Sequence, residues 1–150
     1  MKIYNLSYNN PPLLAEVHAI TGKPYGFFRS IFMKGTGSPP LTVKDGPSEM
    51  MKILNQNRDK KYCNIEILTD GIIFRFKSRL ENYGIPINRA ALNLIEFTNA
   101  YKAEGQDYAE VIEIKFENDQ SIILQFKTHE KHGLIKFFEK GFFQGIFLNP

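Results

Sequence analysis

The sequence predicts an α+β protein in which an antiparallel sheet is closed by an amphipathic helix near the C-terminus. Two strand–turn–strand patterns, at residues 64–77 and 111–127, predict the sheet, and one helical stripe at residues 129–140 predicts the helix. Alternation of apolar and polar residues is typical of half-buried strands, whereas apolar residues three and four positions apart are typical of a helix face.

Length and composition indicate one folded domain over residues 1–150. The chain is 43% hydrophobic and contains 13 Phe and 7 Tyr but no Trp, which indicates an aromatic core rather than disorder. The single cysteine, Cys63, cannot form an internal disulfide, as is usual in a reducing compartment. The N-terminus has no signal-peptide pattern, and no window holds the ~18–20 apolar residues of a membrane span. We expect a soluble, cytoplasmic protein.

Residues 1–61 are expected to form an N-terminal extension of helical and extended segments. Apolar residues at positions 13, 14, 17 and 20 predict a short helix that ends before Gly22. Residues 25–33 form an apolar, aromatic run of strand length. Residues 34–47 contain three Gly and three Pro and are expected to form a loop. Ser48 is then expected to cap a helix over residues 49–54.

The first hairpin of the sheet is predicted where Asp70-Gly71 separates two alternating runs. This pair of residues is a strong hairpin signal, because glycine accepts the positive φ of a tight turn. A short strand is expected at residues 84–87, where Pro86 requires an edge or a strand start. Residues 91–97 fit either a strand or a helix face, and we interpret them as a strand. Residues 103–109 are polar and are expected to form a loop.

A second hairpin and a helix complete the predicted fold. Apolar residues alternate with charged ones over residues 111–116, the chain turns at Asn118, and the alternation resumes over residues 122–127. Thr128 is expected to cap the helix and Gly141 to end it. The buried stripe of this helix is expected to consist of Leu134, Phe137 and Phe138.

These patterns resemble the pleckstrin-homology-like superfold, in particular its GRAM-type and bacterial members, over about residues 62–141. The residues and segment that carry the resemblance are Ile67, Leu68, Thr69, Asp70, Gly71, Phe74, Ile85, Pro86, Ile112, Ile114, Phe116, Ile122, Leu124, Phe126 and the helix over residues 129–140. The resemblance implies a seven-stranded, partly open barrel closed by the helix. Five or six strands follow Tyr62, so residues 25–33 would supply the missing strand, or the fold is a variant.

The resemblance also implies a candidate ligand site. Members of this superfold that bind phosphoinositides use Lys and Arg on the first two strands and the loop between them. In the matching region, Arg75 and Lys77 share one strand face and Arg79 follows closely. These three residues form a candidate strip for binding an anion or a lipid headgroup. A solvent-facing strand without a ligand is the alternative.

The net charge of +3 is unevenly distributed along the chain. Residues 1–61 hold 9 Lys and Arg against 4 Asp and Glu, whereas residues 62–141 hold 10 against 12. A basic N-terminal third is suited to an anionic surface such as a membrane. An ordinarily charged, solvated face is the alternative, and nucleic acid is not an expected partner.

The sequence predicts no catalytic residue, metal site or cofactor. His129 and His132 are three residues apart on the predicted helix, but zinc sites use three or four protein ligands and no third is evident. His18 stands alone on its own predicted helix. The glycine-containing residues 35–38 lack the Gly-Lys-Ser/Thr end of a phosphate-binding loop. A small enzyme would need a deep pocket lined by His18, His129 or Asp107.

Residues 142–150 form an apolar tail beyond the predicted helix. Full burial of one Phe side chain is worth ~1.5–3 kcal/mol, so an exposed tail would forgo much of the stability of a domain. We expect the tail to fold back onto residues 25–32. If it is exposed, it offers an interaction surface. The residues of that surface are Phe142, Phe143, Ile146 and Phe147.

The sequence favours a non-catalytic binding or adaptor domain that holds a protein segment. A sheet edge or the groove between helix and sheet would hold the segment, because antiparallel edges accept an added strand. The alternatives are a peripheral module that binds anionic lipid and a small α+β enzyme of unknown reaction. We therefore expect a protein partner, with an anionic membrane surface as the alternative.

Overall fold

The computed structural model describes residues 1–32, 35–58, 60–101, 109–140 and 143–148. Within these residues nine strands form one sheet, accompanied by four α-helices. The strands are β1 (Tyr4–Asn5), β2 (Leu41–Asp45), β3 (Tyr62–Ile67), β4 (Gly71–Ser78), β5 (Glu81–Asn88), β6 (Leu92–Tyr101), β7 (Ala109–Phe116), β8 (Gln120–Gln125) and β9 (Phe147–Leu148). The helices are α1 (Pro11–Thr21), α2 (Phe27–Phe32), α3 (Ser48–Leu54) and α4 (Lys131–Glu139).

The strands follow the order β1-β5-β4-β3-β2-β8-β7-β6-β9 across the sheet. Each described pair is antiparallel except β6–β9, which is parallel. Strand β2 joins two meanders, because it pairs with β3 on one side and with β8 on the other. The chain is therefore an α+β protein with a mostly antiparallel sheet, as the sequence predicts.

The β3–β4 hairpin is confirmed, with Ile65 opposite Phe74. The Leu68 N–H donates to the Gly71 carbonyl over 2.9 Å and closes the turn. The expected reason for the glycine is wrong, since Gly71 does not have a positive φ. A Cβ at this position would lie 2.3 Å from the carbonyl oxygen of Ile87 on β5. Close approach of two backbones therefore requires the glycine.

The remaining predicted strands are also present. In the β7–β8 hairpin, Asn118 and Asp119 have φ values of 59° and 55°, which short polar side chains tolerate better than most. Strands β5 and β6 cover the segments expected at residues 84–87 and 91–97. Strand β1 pairs with β5 only as far as Gly84, so Pro86 occupies an edge position, as expected.

Helices cover the two faces of the sheet unequally. The main core holds buried residues of α3 and α4 together with alternate residues of the strands, among them Ile72 and Phe74 of β4. On the opposite face, Val17 of α1 packs in a smaller cluster with Leu68 and Ile73. Because Ile73 alternates with Ile72 and Phe74 along β4, α1 lies on the face away from α3 and α4.

Helix α4 packs against the main core through the stripe that the pattern predicts. Its Leu134, Phe137 and Phe138 are buried. The expected cap at Thr128 is wrong, because a 3₁₀ turn over Thr128–Glu130 precedes the helix. The Glu130 carboxylate accepts a hydrogen bond from the Lys127 N–H over 2.9 Å and ties down the start of that turn. Gly141, the expected end, lies outside the described residues.

The N-terminal helices are confirmed with one change at a cap. Helix α1 begins after Asn10, whose side chain accepts a hydrogen bond from the Leu13 N–H over 3.2 Å, and it ends before Gly22 at φ 74°. Helix α3 is present, but Ser48 is its first residue and Pro47 occupies the cap position without a side-chain bond. The backbone N–H groups of this first turn therefore lack the expected hydroxyl acceptor.

Two expectations for the N-terminal third are wrong. Residues 27–32 form helix α2 and not part of a strand over residues 25–33, and the Ser30 N–H donates to the Gly26 carbonyl over 3.0 Å. A strand that was not expected, β2, lies inside the expected loop at residues 34–47. Strand β2 already occupies the position between β3 and β8, so residues 27–32 are not needed as a strand there.

The tail folds back, but not onto residues 25–32. It adds β9 to the edge of β6, where the Ile95 N–H donates to the Ile146 carbonyl over 2.8 Å. The Phe143 ring packs edge-on against Phe138 of α4, with 5.4 Å between the ring centroids. Phe142 lies outside the described residues.

Candidate anion-binding site

Polar side chains of four adjacent strands line up on the sheet face that carries α1. Directly opposed residues of antiparallel strands point to the same side of a sheet. Thr42 of β2 lies opposite Tyr62 of β3 on one side and opposite Gln125 of β8 on the other. On β4, Arg75 and Lys77 alternate with buried core residues and therefore point to this same face.

A groove with a volume of about 980 Å³ follows this row of side chains. Five of its lining residues are cations: Lys44, Lys60, Arg75, Lys77 and Lys127. Its lining also includes aromatic and amide residues: Tyr62, Phe76, Tyr83, Phe126, Asn64, Asn82 and Gln125. The Phe76 ring belongs to the main core, where it stacks on Tyr83 with 5.6 Å between the ring centroids.

A second depression of about 600 Å³ adjoins the first and shares Lys60, Tyr62 and Lys77 with it. It adds two further cations, Arg58 and Arg79. We call the two depressions together the basic groove. Its cations come from β2, from the segment between α3 and β3, from β4 and its turn, and from the end of β8.

Helix α3 and the residues after it hold the turn between β4 and β5 in place. The Asn57 side chain donates to the Lys77 carbonyl over 3.0 Å and accepts from the Arg79 N–H over 2.9 Å. The Ser78 hydroxyl donates to the Ile53 carbonyl over 2.7 Å. Arg79 itself adopts φ 55°. These bonds fix the backbone on which Lys77 and Arg79 stand at the rim of the groove.

Carboxylates neutralise only part of this positive charge. Glu66 Oε2 accepts a hydrogen bond from Arg75 Nε, so that guanidinium is paired. Among the described residues that line the two depressions, Glu130 is the one carboxylate, and it accepts from the Lys127 N–H. The basic groove therefore keeps a net positive charge and can attract an anion with several charges.

The β6–β7 part of the same sheet face has a different charge balance. Glu96 and Glu113 lie directly opposite each other. Lys115 Nζ lies 3.4 Å from Glu96 Oε1 and 3.6 Å from Glu113 Oε2. The Glu113 and Glu96 carboxylates raise the pKa of Lys115. This cluster leaves an excess of negative charge, so the face is polarised from a cationic side to an acidic side.

The structure places the predicted strip of Arg75, Lys77 and Arg79 at the basic groove. The sequence interpretation missed the cations that join them from elsewhere in the chain: Lys44, Arg58, Lys60 and Lys127. For Lys44, Arg58 and Lys60, the available signal is the excess of Lys and Arg in residues 1–61. Lys44 gives no local signal of its own, because the Gly and Pro residues around β2 predict a loop there.

The described residues of the predicted tail surface differ in their exposure. Phe143 is only 1% exposed, and Ile146 and Phe147 are half-buried against the core. Leu148, which belongs to the same apolar tail, is 53% exposed. The three residues of the predicted surface that the structure describes, Phe143, Ile146 and Phe147, are therefore not presented together as one exposed apolar patch.

The residues considered for chemistry do not converge in the described part of the chain. No group of three or more His, Cys, Asp or Glu side chains is placed there to hold a metal ion. His129 and His132 are exposed, His18 lines a shallow depression on α1, and Asp107 lies outside the described residues. Cys63 is buried, and burial raises the pKa of its thiol.

No helix in the described ranges is both long enough and apolar enough to cross a bilayer. Comparison with known proteins found no matching family model, no matching curated protein and no matching solved structure.

Proposed function

We propose that this chain is a non-catalytic binding domain of the pleckstrin-homology-like type that associates with anionic lipid through the basic groove. The observation that carries the proposal is the convergence of seven cations from separate parts of the chain on two adjoining depressions. Phosphorylated headgroups at a membrane surface offer the complementary negative charge. A cytoplasmic location, facing an anionic leaflet, belongs to the same proposal.

The strand order supports the proposed fold type. Strands β2 to β8 are seven in number, run in the order β5-β4-β3-β2-β8-β7-β6 and are followed by α4. The resemblance implies seven strands and a closing C-terminal helix. Strand β2 supplies the strand that the sequence interpretation sought at residues 25–33. We infer a partly open barrel with α4 across its core.

The position of the cations supports a ligand rather than a merely solvated face. Four of the seven come from strands or strand turns whose backbones are held by the sheet or by Asn57: Lys44, Arg75, Lys77 and Arg79. A fixed backbone lowers the entropy that these side chains lose when they bind an anion. Lys60 lies between the two depressions and serves both.

A protein segment held at a sheet edge is the second candidate. In the described part of the chain, β9 covers β6 at Ile95 and Glu96, although β6 extends to Tyr101. That uncovered stretch is where an added strand would pair. The other edge offers less, because β1 already occupies part of β5 and Pro86 has no N–H to donate.

Vesicle binding by two charge-matched variants tests the lipid proposal. One variant carries Lys44→Gln, Lys60→Gln and Lys77→Gln in the basic groove. The control carries Lys52→Gln, Lys136→Gln and Lys140→Gln on or just after α3 and α4, on the other side of the sheet. Each lysine near an anionic surface contributes about 1 kcal/mol, so the groove variant should bind phosphatidylglycerol vesicles about 100-fold more weakly.

The control variant should retain most of the wild-type affinity in the same cosedimentation assay. Binding of the wild type should also fall steeply as salt is raised, because exposed charges are screened over ~8–10 Å at physiological ionic strength. Equal losses in the two variants would show that overall charge, not the groove, drives binding. Absence of vesicle binding by the wild type would remove the lipid proposal and leave the protein segment as the candidate.

A further inference from the structure

Helix α2 exposes three large apolar side chains that the fold does not use. Phe27, Phe28 and Ile31 are 74%, 85% and 60% exposed. The two Phe rings touch each other edge-on, with 5.6 Å between their centroids, and form a small apolar ridge. Full burial of such side chains is worth ~1.5–3 kcal/mol each, so their exposure points to a partner that the described chain does not supply.

The segment that carries α2 is held at both ends. Before the helix, the Asp70 N–H donates to the Thr21 carbonyl over 2.8 Å and the Thr69 N–H donates to the Lys23 carbonyl over 3.2 Å. After it, the Ser38 N–H donates to the Ile65 carbonyl over 2.7 Å. The ridge therefore projects from two fixed points on the β3–β4 hairpin.

The charge around α2 selects the kind of partner. From Val17 to Lys44 the chain contains four cations and not one Asp or Glu. Arg29 of α2 lies over the Tyr25 ring, 6.0 Å from its centroid, and Lys23 precedes the helix. Aromatic side chains beside Lys and Arg are characteristic of the interface between lipid headgroups and acyl chains.

A second copy of the chain is a poorer partner for this ridge. Two copies meeting ridge to ridge would bring the same acid-free, cationic segments together, and like charges repel. An anionic bilayer offers negative headgroups to the cations and an apolar layer to the Phe rings. Continuity with the basic groove also favours the bilayer, because the chain leaving α2 reaches the groove wall at Pro40 and Thr42.

We propose that α2 inserts Phe27, Phe28 and Ile31 into the headgroup–acyl boundary of an anionic bilayer. This inference rests on the proposed lipid-binding function and adds the apolar contact that the groove lacks. The basic groove draws the protein to the anionic bilayer by charge. Helix α2 then holds the protein there by burying apolar area in the bilayer. Binding should therefore have a salt-sensitive part and a salt-resistant part.

The absence of Trp from the chain gives a direct test. Phe28→Trp places the single indole on the ridge, and Leu148→Trp places it on the edge strand β9 as a matched exposed control. With mixed phosphatidylglycerol–phosphatidylcholine vesicles, the Phe28→Trp emission should shift to the blue and be quenched by brominated acyl chains. The Leu148→Trp emission should not change, and pure phosphatidylcholine vesicles should leave both spectra unchanged.

A second variant separates this inference from the groove proposal. Phe27→Ala with Phe28→Ala should weaken vesicle binding about 10- to 100-fold and abolish the salt-resistant part, while binding of soluble inositol hexakisphosphate is unchanged. Vesicle binding without a Phe28→Trp shift would overturn the insertion and leave the groove proposal standing. A wild-type dimer in light scattering that the double variant dissociates would identify a second copy as the occupant and overturn the insertion as well.

Discussion

The Glu66 carboxylate accepts a hydrogen bond from Arg75 Nε and holds one cation of the basic groove in an ion pair. The Glu66 side chain is 25% exposed and that of Arg75 41%, so solvent screens the pair and its contribution to stability is small. The main effect of this ion pair is on the electrostatic potential of the basic groove. A carboxylate at this position lowers the attraction of the groove for a second anion.

Replacing Glu66 by Gln should therefore strengthen binding to anionic vesicles. The substitution keeps the size of the side chain and removes the negative charge that neutralises the Arg75 guanidinium. We expect an affinity about two- to fivefold higher at low salt, since one charge near an anionic surface is worth about 1 kcal/mol. Cosedimentation measures it. Glu49→Gln on α3 makes the same charge change away from the groove, and an equal gain there would contradict the prediction.

Gly71→Ala should destabilise the protein because the added methyl group has no room. Its Cβ would lie 2.3 Å from the Ile87 carbonyl oxygen, a backbone atom that cannot move without disturbing β5. We expect a free energy of unfolding lower by about 1–3 kcal/mol or more, measured in urea. Gly133→Ala on α4 is the matched control, since nothing lies within 4 Å of its Cβ, and it should be neutral or stabilising by up to about 1 kcal/mol.

Phe143 ties the tail to the core, so its truncation should be costly. The side chain is 1% exposed and packs on Phe138. Phe143→Ala should lower the free energy of unfolding by about 3–5 kcal/mol, whereas Phe28→Ala on the exposed ridge should change it by less than about 0.5 kcal/mol. Deletion of residues 142–150 should lower the melting temperature by several degrees or make the chain insoluble. A deletion variant with unchanged stability would refute the structural role of the tail.

Cys63 should make stability fall at alkaline pH. Burial raises the pKa of its thiol above the ordinary value of 9.0, so the unfolded chain loses this proton at a lower pH than the folded chain. The stabilising effect of the buried neutral thiol is complete below pH 9.0 and is lost as the pH rises above that value. Between pH 8 and pH 10 the wild type should lose about 1 kcal/mol more than Cys63→Ala in urea unfolding. Equal losses would show that other groups account for the pH dependence.

The sequence predicted the elements whose signals are local. The β3–β4 and β7–β8 hairpins combine alternating strands with a short turn, and both partners lie within a few residues of each other. Strand β2 gave no such signal, because it is five residues long, lies between glycines and prolines, and pairs with distant segments. Residues 27–32 form a helix although their apolar run also fits a strand, because periodicity alone does not distinguish the two in so short a segment.

The candidate site was predictable only in part, for the same reason. Arg75, Lys77 and Arg79 lie close together in sequence, so the strip was visible. The approach of Lys44 and Lys127 to them depends on the pairing of β2 with both β3 and β8. The exposure of α2 could not be predicted either. The apolar composition of the tail predicts that the tail is buried, but it does not predict that the tail docks on β6 and leaves residues 27–32 uncovered.

The pairing of β2 with β8 also constrains how the chain can be made. Val43 lies opposite Leu124, so β2 leaves the ribosome about eighty residues before one of its two neighbours. At typical elongation rates that interval is roughly 4–16 s. During this time the β3–β4–β5 meander can form from neighbouring segments, but β2 has one bare edge, and the sheet stays in two unconnected parts. Non-local pairing of this kind also slows refolding. The basic groove needs both Lys44 and Lys127. Its completion is thus one of the last events in the synthesis and folding of the chain.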